Sequence, residues 1–274
     1  MLETFRHFDK EAYHGVEDFY NAIHDGFDLT HPSLKYTNEV ISRHVPRAAI
    51  DGKTVLDAGC GYQARVIRLL LQAYAPSRIT GIDVNPVNIQ HCREMSLDGD
   101  VQFICKDLEK EHWADGSFDV IICEGVLMYT VNPEQNIKKF AAALKPGGYL
   151  VLGIYCWKPP YLWFNALSRR AGRIIPFKRL VMPLKRRNLL NYTLINLLDS
   201  MYVPVEKYFN IHNVRAILSD LGLTIQYCGL APSYLPFLKK QSRLVTKICG
   251  NRYYHLVVRR SLKTGLHLQY AVQG

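Results

Sequence analysis

The chain predicts an α/β fold in which a doubly wound sheet of seven mostly parallel strands carries helices on both faces. Three observations predict it. Between residues 53 and 155, short apolar runs alternate with helix-length stretches, the pattern of parallel strands buried on both sides by their crossover helices. The first run ends in a glycine-punctuated turn, Asp57-Ala-Gly-Cys-Gly61, a strand-to-helix turn of the kind that opens nucleotide-binding sheets. The composition, 48% hydrophobic and 21% charged over 274 residues, suits one large domain with an insertion.

In chain order, residues 12–24 and 33–48 read as two helices of an N-terminal cap (1–50). The core (51–155) follows, with a strand at Thr54–Asp57, a helix near Ala64–Ala73, a strand at Arg78–Asp83 and a helix near Val87–Met95. Strands at Val101–Cys105 and Phe118–Cys123, a helix near Pro133–Leu144 and a strand at Tyr149–Tyr155 continue the alternation. Residues 156–207 break it, being basic, aromatic and punctuated by proline, and read as an insertion after the fifth strand. Residues 208–274 complete the sheet, with a helix near Val214–Leu221 and strands at Leu223–Leu230 and Arg252–Arg260. The last two strands lack a clear crossover helix between them, which admits an antiparallel pairing.

The chemistry begins at Val55–Ala64. Gly59 and Gly61 permit a tight turn and a close approach of backbone to ligand. By itself Gly59-x-Gly61-x-x-Ala64, with Asp83 further on, fits a dinucleotide fingerprint as well as an S-adenosylmethionine loop. Asp57 separates the two. A carboxylate there opposes a pyrophosphate, yet suits a cofactor that carries a sulfonium and an ammonium. Asp83 ends the second strand, where its two oxygens can accept ribose hydroxyls. Asp107, just past the third strand, can accept from an adenine amine, with Leu108 against the ring. The segments Phe118–Thr130 (FDVIICEGVLMYT) and Leu144–Leu150 (LKPGGYL) complete the series.

Taken together, residues 50–155 resemble the class I S-adenosylmethionine-dependent methyltransferases, especially those acting on small molecules, and share their Rossmann-like fold. The resemblance rests on the glycine loop, the acids after strands two and three, the EGVL segment and the LKPGG turn, all in order. It implies that Asp57, Gly59 and Gly61 hold the methionine part of the cofactor and Asp83 the ribose, with Ala58 and Val84 also at the cofactor. It further implies that Asp107 and Leu108 meet the adenine and that Glu124 lines the floor. Two positions depart from the pattern: Gln63 stands where many members have a third glycine, and Tyr129 stands where a histidine is common.

The acceptor is harder to read, because positioning alone can carry much of a methyl transfer, on the order of 7–11 kcal/mol. His31 and His212 are the candidate bases if a hydroxyl is methylated, against the plainer reading of surface or capping histidines. Tyr13, Tyr20, Tyr36 and Tyr129 could shield a sulfonium, although most of the 17 tyrosines must be packing.

Charge is divided unevenly along the chain. Residues 1–134 carry a net −9 and residues 135–274 a net +19, with no acidic residue from Gln135 to Leu198. Eight of the residues from Ser168 to Arg187 are Lys or Arg, interleaved with apolar ones. Such a stretch reads as a surface for an anionic membrane or another anionic partner, or as a solvated lid face. The expected acceptor is a small apolar or anionic metabolite, with RNA as the alternative enzyme substrate and a catalytically silent cofactor-binding subunit as the non-enzyme alternative. Seven scattered cysteines without a C-x-x-C pair give no zinc site and suit a reducing compartment. With no signal-like start and no long apolar run, the chain is expected in the cytoplasm, with peripheral membrane contact through residues 168–187.

Overall fold

The structure is a computed structural model that describes residues 32–156, 159–187, 194, 197–198, 201–203, 206–231 and 253–262. The expected helix at 12–24, Tyr13, Tyr20 and His31 lie outside the described residues. Helix α1 spans Pro32–His44. Strand β1 (Thr54–Ala58) leads to α2 (Arg65–Ala73), and β2 (Arg78–Asp83) leads to α3 (Pro86–Glu94). Strands β3 (Val101–Cys105) and β4 (Phe118–Glu124) precede α4 (Pro133–Ala143) and β5 (Leu144–Tyr155). Two helices follow, α5 (Pro159–Ile174) and α6 (Phe177–Arg186), and then α7 (Ile211–Asp220), β6 (Leu223–Leu230) and β7 (Tyr253–Arg260).

The strand order is β3-β2-β1-β4-β5-β7-β6. The first five strands pair in parallel, while β7 runs antiparallel to both β5 and β6. The order reverses between β1 and β4, so their C-terminal ends flank the crevice where such sheets bind ligands.

Alternating side chains feed two cores. Leu56, Ile121, Leu150, Leu152, Leu256 and Val258 face Ile137 and Phe140 of α4 and Val214 and Leu218 of α7. Val55, Val120, Ile122, Val151 and Val257 face Val40 and Ile41 of α1, Ile67 and Leu70 of α2 and Ile89 of α3. Burial on both faces is the reason the strands read as nearly unbroken apolar runs. Helix α1 therefore belongs to the sheet's own covering layer, held there by the Thr37, Val40, Ile41 stripe.

The fifth strand starts earlier than its apolar run. Leu144 pairs with Phe118, the register shifts, and Tyr149 pairs with Val120, so the Lys145-Pro-Gly-Gly148 turn is a bulge within the strand. A side chain on Gly148 would press on the Asp119 and Lys145 carbonyls. Lys145 Nζ reaches Asp119 at 2.7 Å, and Asp119 also accepts from the Thr54 N–H and hydroxyl, at 2.9 and 2.8 Å. Three strands are thereby tied together at the end opposite the crevice.

Helix starts follow local chemistry. Asn85 caps α3 by accepting the Val87 N–H at 2.8 Å, with Pro86 in the first turn. Asn210 caps α7 through the His212 N–H. Helix α2 has no side-chain cap; Ala64 turns the chain into it from the left-handed region, φ 44°.

Candidate functional site

The C-terminal ends of β1, β2 and β4 bring Asp57, Asp83 and Glu124 to one rim. Asp57 is 1% exposed. Burial first, then the nearby Asp83 and Glu124 carboxylates, pushes its pKa up to about 8, with Arg65 opposing. Its Oδ2 is buried and has no hydrogen-bond partner among the described residues. A buried acid in this condition is poised to ionise when a cation arrives.

The turn after Asp57 is wrapped around the end of β2. Gly59 and Cys60 both donate their N–H to the Ile82 carbonyl. Gly59 sits at φ 93°, and a methyl group there would overlap the Val126 side chain. Gly61, at φ 65°, donates its N–H to Asp83 Oδ2 at 3.0 Å and faces open space. From α3, Cys92 Sγ donates to the Gly61 and Tyr62 carbonyls, and the His91 ring stacks on Tyr62 at 3.8 Å. Gln63, the departure noted in the sequence, leaves the turn intact.

Asp83 also accepts the Asn85 N–H at 2.9 Å and the Asn88 amide at 3.2 Å, both on Oδ1. Burial raises its pKa, and these donors act against the rise. Oδ1 thus takes two donors, while Oδ2, with the Gly61 N–H alone, keeps capacity for a further one. Val84 stands 43% exposed beside it, an apolar surface at the rim, whereas Ala58 is sealed in the sheet. Asp107 closes its own turn by accepting the Glu109 N–H at 2.9 Å. The Leu108 side chain is 8% exposed and belongs to the same apolar cluster as Ile82 and Phe118. The turn that carries Asp107 uses it as an apolar anchor.

Glu124 is the centre of a network that the linear sequence does not announce. Its Oε1 accepts from His255 Nε2 at 2.8 Å, Tyr253 OH at 2.9 Å and Thr37 Oγ1 at 3.1 Å. Burial alone would raise its pKa; the charge and hydrogen bond of His255, with the Tyr253 and Thr37 hydrogen bonds, outweigh it and leave the carboxyl below its ordinary value. Glu124 Oε2 and His255 Nδ1 are buried without a hydrogen-bond partner among the described residues. Tyr36, one of the expected sulfonium shields, bonds Tyr227 OH at 2.9 Å and the Leu230 carbonyl, and meets His255 edge-on at 5.0 Å.

The sequence reading missed Thr37, Tyr253 and His255. The available signals were a hydroxyl on the apolar stripe of α1 and a histidine inside the apolar run Tyr253–Val258. Tyr253 in turn packs edge-to-face with Tyr155 at 5.2 Å, and Tyr155 with Tyr129 at 6.5 Å, so an aromatic wall rises beside Glu124. His212 is exposed on the first turn of α7, with its backbone N–H taken by Asn210.

These residues can hold a ligand with two cationic groups and a polar sugar. Asp57 Oδ2 and Glu124 Oε2 are unspent acceptors, Asp83 Oδ2 keeps one lone pair, and Gly61 opens the backbone.

Comparison with known proteins points the same way. A family model described as a methyltransferase domain matches residues 56–152. A ubiquinone biosynthesis O-methyltransferase of Coxiella burnetii is 32% identical over 123 residues, 43% of this chain and 47% of that protein. A tRNA U34 carboxymethyltransferase of Campylobacter curvus is 30% identical over 109 residues, 39% of this chain and 36% of that protein. Among solved structures, an S-adenosylmethionine dependent methyltransferase from Mesorhizobium loti superposes with a TM-score of 0.58 at 17% identity, covering 85% of this chain and 100% of that one. The chain spans less than half the length of these curated relatives.

Proposed function

We propose that this chain, which belongs to the class I S-adenosylmethionine-dependent methyltransferases, methylates a small apolar or anionic acceptor of metabolite or lipid-like character. The observation that carries the reading is the pair of buried, unspent carboxylate oxygens, Asp57 Oδ2 and Glu124 Oε2, at the switch between β1 and β4.

S-adenosylmethionine, when bound, supplies an electrophilic methyl group on a sulfonium that is already a good leaving group. The chain's own part is then to bind, orient and exclude water. Asp57 gives up its proton to meet a cation, and Glu124, held by three donors, keeps a fixed position at the floor. Asp83 offers the remaining lone pair of Oδ2 to a hydroxyl, and Val84 offers an apolar face. The Gly59–Gly61 turn lets the backbone come close without a side chain in the way. Tyr129, Tyr155 and Tyr253 form a wall suited to an apolar acceptor. Holding the acceptor in line against that wall replaces much of what a strong base would otherwise have to contribute.

The acceptor class is supported by the aromatic wall, by the +19 charge of residues 135–274 and by the similarity to a ubiquinone biosynthesis O-methyltransferase. RNA is the second reading, favoured by the same charge and by the similarity to a tRNA carboxymethyltransferase.

Two measurements test the proposal. Calorimetry with S-adenosylmethionine and S-adenosylhomocysteine should show binding of both, lost in Asp57→Asn. Methyl-labelled cofactor incubated with the protein and cell extract should place label in the lipid or small-metabolite fraction. An absence of heat with either ligand overturns the cofactor assignment; label confined to RNA overturns the acceptor class.

A further inference from the structure

The segment after β5, read from sequence as a basic, aromatic insertion, contains a pair of helices whose outer surface is unusual for a water-facing one. On α5, Trp163 is 80% exposed, Leu167 70% and Ile174 79%. Their spacing of four and seven residues puts them along one stripe of a helix. Ile175, just after α5, and Met182, on α6, are also exposed. Around this stripe lie the exposed cations Arg170, Arg173, Lys178, Arg179, Arg186 and Arg187.

Not every basic residue of the segment belongs to that surface. Arg169 turns inward, donating to the Val203 carbonyl at 2.8 Å and lying 3.6 Å from the buried Glu206 carboxylate. Tyr202 OH donates to the Ile175 carbonyl at 2.8 Å, and Phe177 packs edge-on against Tyr202 at 5.3 Å. A side chain on Gly172 would overlap the Met201 carbonyl. The hairpin is thus docked by its inner face, which leaves the apolar stripe and its cations pointing away from the protein.

We propose that α5 and α6 form a docking surface for an anionic lipid bilayer, with Trp163, Leu167 and Ile174 entering the interface and Arg170, Arg173, Lys178 and Arg179 meeting the headgroups. Large exposed aliphatic side chains beside cations match a bilayer's two layers of chemistry: apolar chains below and negative phosphates above. A nucleic acid offers phosphates and stacking faces, and would leave Leu167 and Ile174 in water. Among the described residues no helix is long and apolar enough to cross a membrane, so the contact is peripheral. Because α5 follows the C-terminal end of β5, the docking surface grows from the same end of the sheet as Asp57 and Glu124.

The proposal does not depend on the reaction and is tested without cofactor. The full chain is mixed at low salt with vesicles of phosphatidylcholine alone or with about one third phosphatidylglycerol, and binding is read by co-sedimentation. Each cation in contact should be worth roughly fivefold in partitioning. The wild type should bind the anionic vesicles and not the neutral ones, and should release in high salt. Arg170→Gln/Arg173→Gln/Lys178→Gln/Arg179→Gln should lose binding by about a hundredfold or more. Trp163→Ser/Leu167→Gln/Ile174→Gln should lose at least tenfold while keeping its charge, and circular dichroism should show both variants folded. The proposal is overturned if anionic vesicles do not retain the wild type, or if either folded variant binds as the wild type does. It is also overturned if the apolar variant retains full affinity for structured RNA and the wild type prefers that RNA to the vesicles.

Discussion

Glu124 and His255 meet at 2.8 Å although a whole strand lies between them. Glu124 on β4 is in register with Gly153 on β5, and Gly153 is in register with His255 on β7. All three point to the face covered by α1, and the middle position has no side chain. The carboxylate and the imidazole close over that vacancy, with Tyr253 OH completing the lid. The site's floor is therefore built by sheet register, and its one sequence requirement on β5 is a glycine.

Gly153→Ala should break this arrangement. The added methyl would overlap the Tyr253 hydroxyl and Glu124 Oε2 and lie 2.7 Å from Glu124 Cδ. Overpacking of this kind costs about 1–3 kcal/mol, measurable by urea unfolding. The larger effect should fall on S-adenosylmethionine affinity, at least tenfold by calorimetry, because the displaced group is Glu124 itself. Unchanged affinity in a folded Gly153→Ala protein would show that Glu124 is not part of the floor.

Asp57 makes cofactor binding proton-linked. Its carboxyl holds its proton up to about pH 8 in the ligand-free protein, and a bound cation favours the ionised form. Binding at pH 7 should therefore release close to one proton, seen as a dependence of the calorimetric heat on buffer ionisation enthalpy. Affinity should rise between pH 6 and 8 by roughly ten- to a hundredfold. The same shift acts on stability in the opposite sense. The unfolded carboxyl loses its proton near pH 4 and the folded one near 8, so over that window the folded state binds more protons and ligand-free stability falls as pH rises. Asp57→Asn should be more stable than the wild type at pH 8. Buffer-independent heats for the wild type would remove the linkage.

Arg169 and Arg173 lie on the same helix and should answer mutation differently. Arg169→Gln removes the guanidinium from the Glu206 carboxylate and the Val203 carbonyl, and should destabilise by about 2 kcal/mol, less than a tightly paired buried bridge because the contact is long. Arg173 is exposed, and Arg173→Gln should stay within about 0.5 kcal/mol of the wild type. Equal losses in thermal melts would mean that the inward turn of Arg169 contributes nothing.

Much of this was legible in advance, for reasons visible in particular residues. Strands β1, β4 and β5 declare themselves because burial on both faces makes them largely apolar. Asp57, Asp83 and the Gly59–Gly61 turn are local, each set by residues a few positions apart. Thr37, Tyr253 and His255 were not legible because they converge on Glu124 from positions 87, 129 and 131 residues away, through pairings that no local pattern encodes. The helices of the insertion were hidden by their prolines. Pro159 is the first residue of α5 and Pro176 immediately precedes α6, positions where proline starts a helix, while Pro183 lies within α6.

The Lys145-Pro-Gly-Gly turn carries the last prediction. Burial alone would raise the Asp119 pKa, but Lys145 and the two Thr54 donors hold it below its ordinary value. A depressed folded pKa means that the stabilisation is fully present above the unfolded pKa near 4 and is lost as pH falls through the folded value. Asp119→Asn should therefore cost about 1–2 kcal/mol at pH 7, discounted for the partly exposed lysine, and the deficit should shrink below pH 4, where the wild type loses the same charge. Cofactor affinity should not change, because the pair sits at the end of the sheet opposite Asp57. A variant that matches the wild type at pH 7 would show that the ion pair does not hold β1, β4 and β5 together, and one that also loses cofactor binding would show that the two ends of the sheet are coupled.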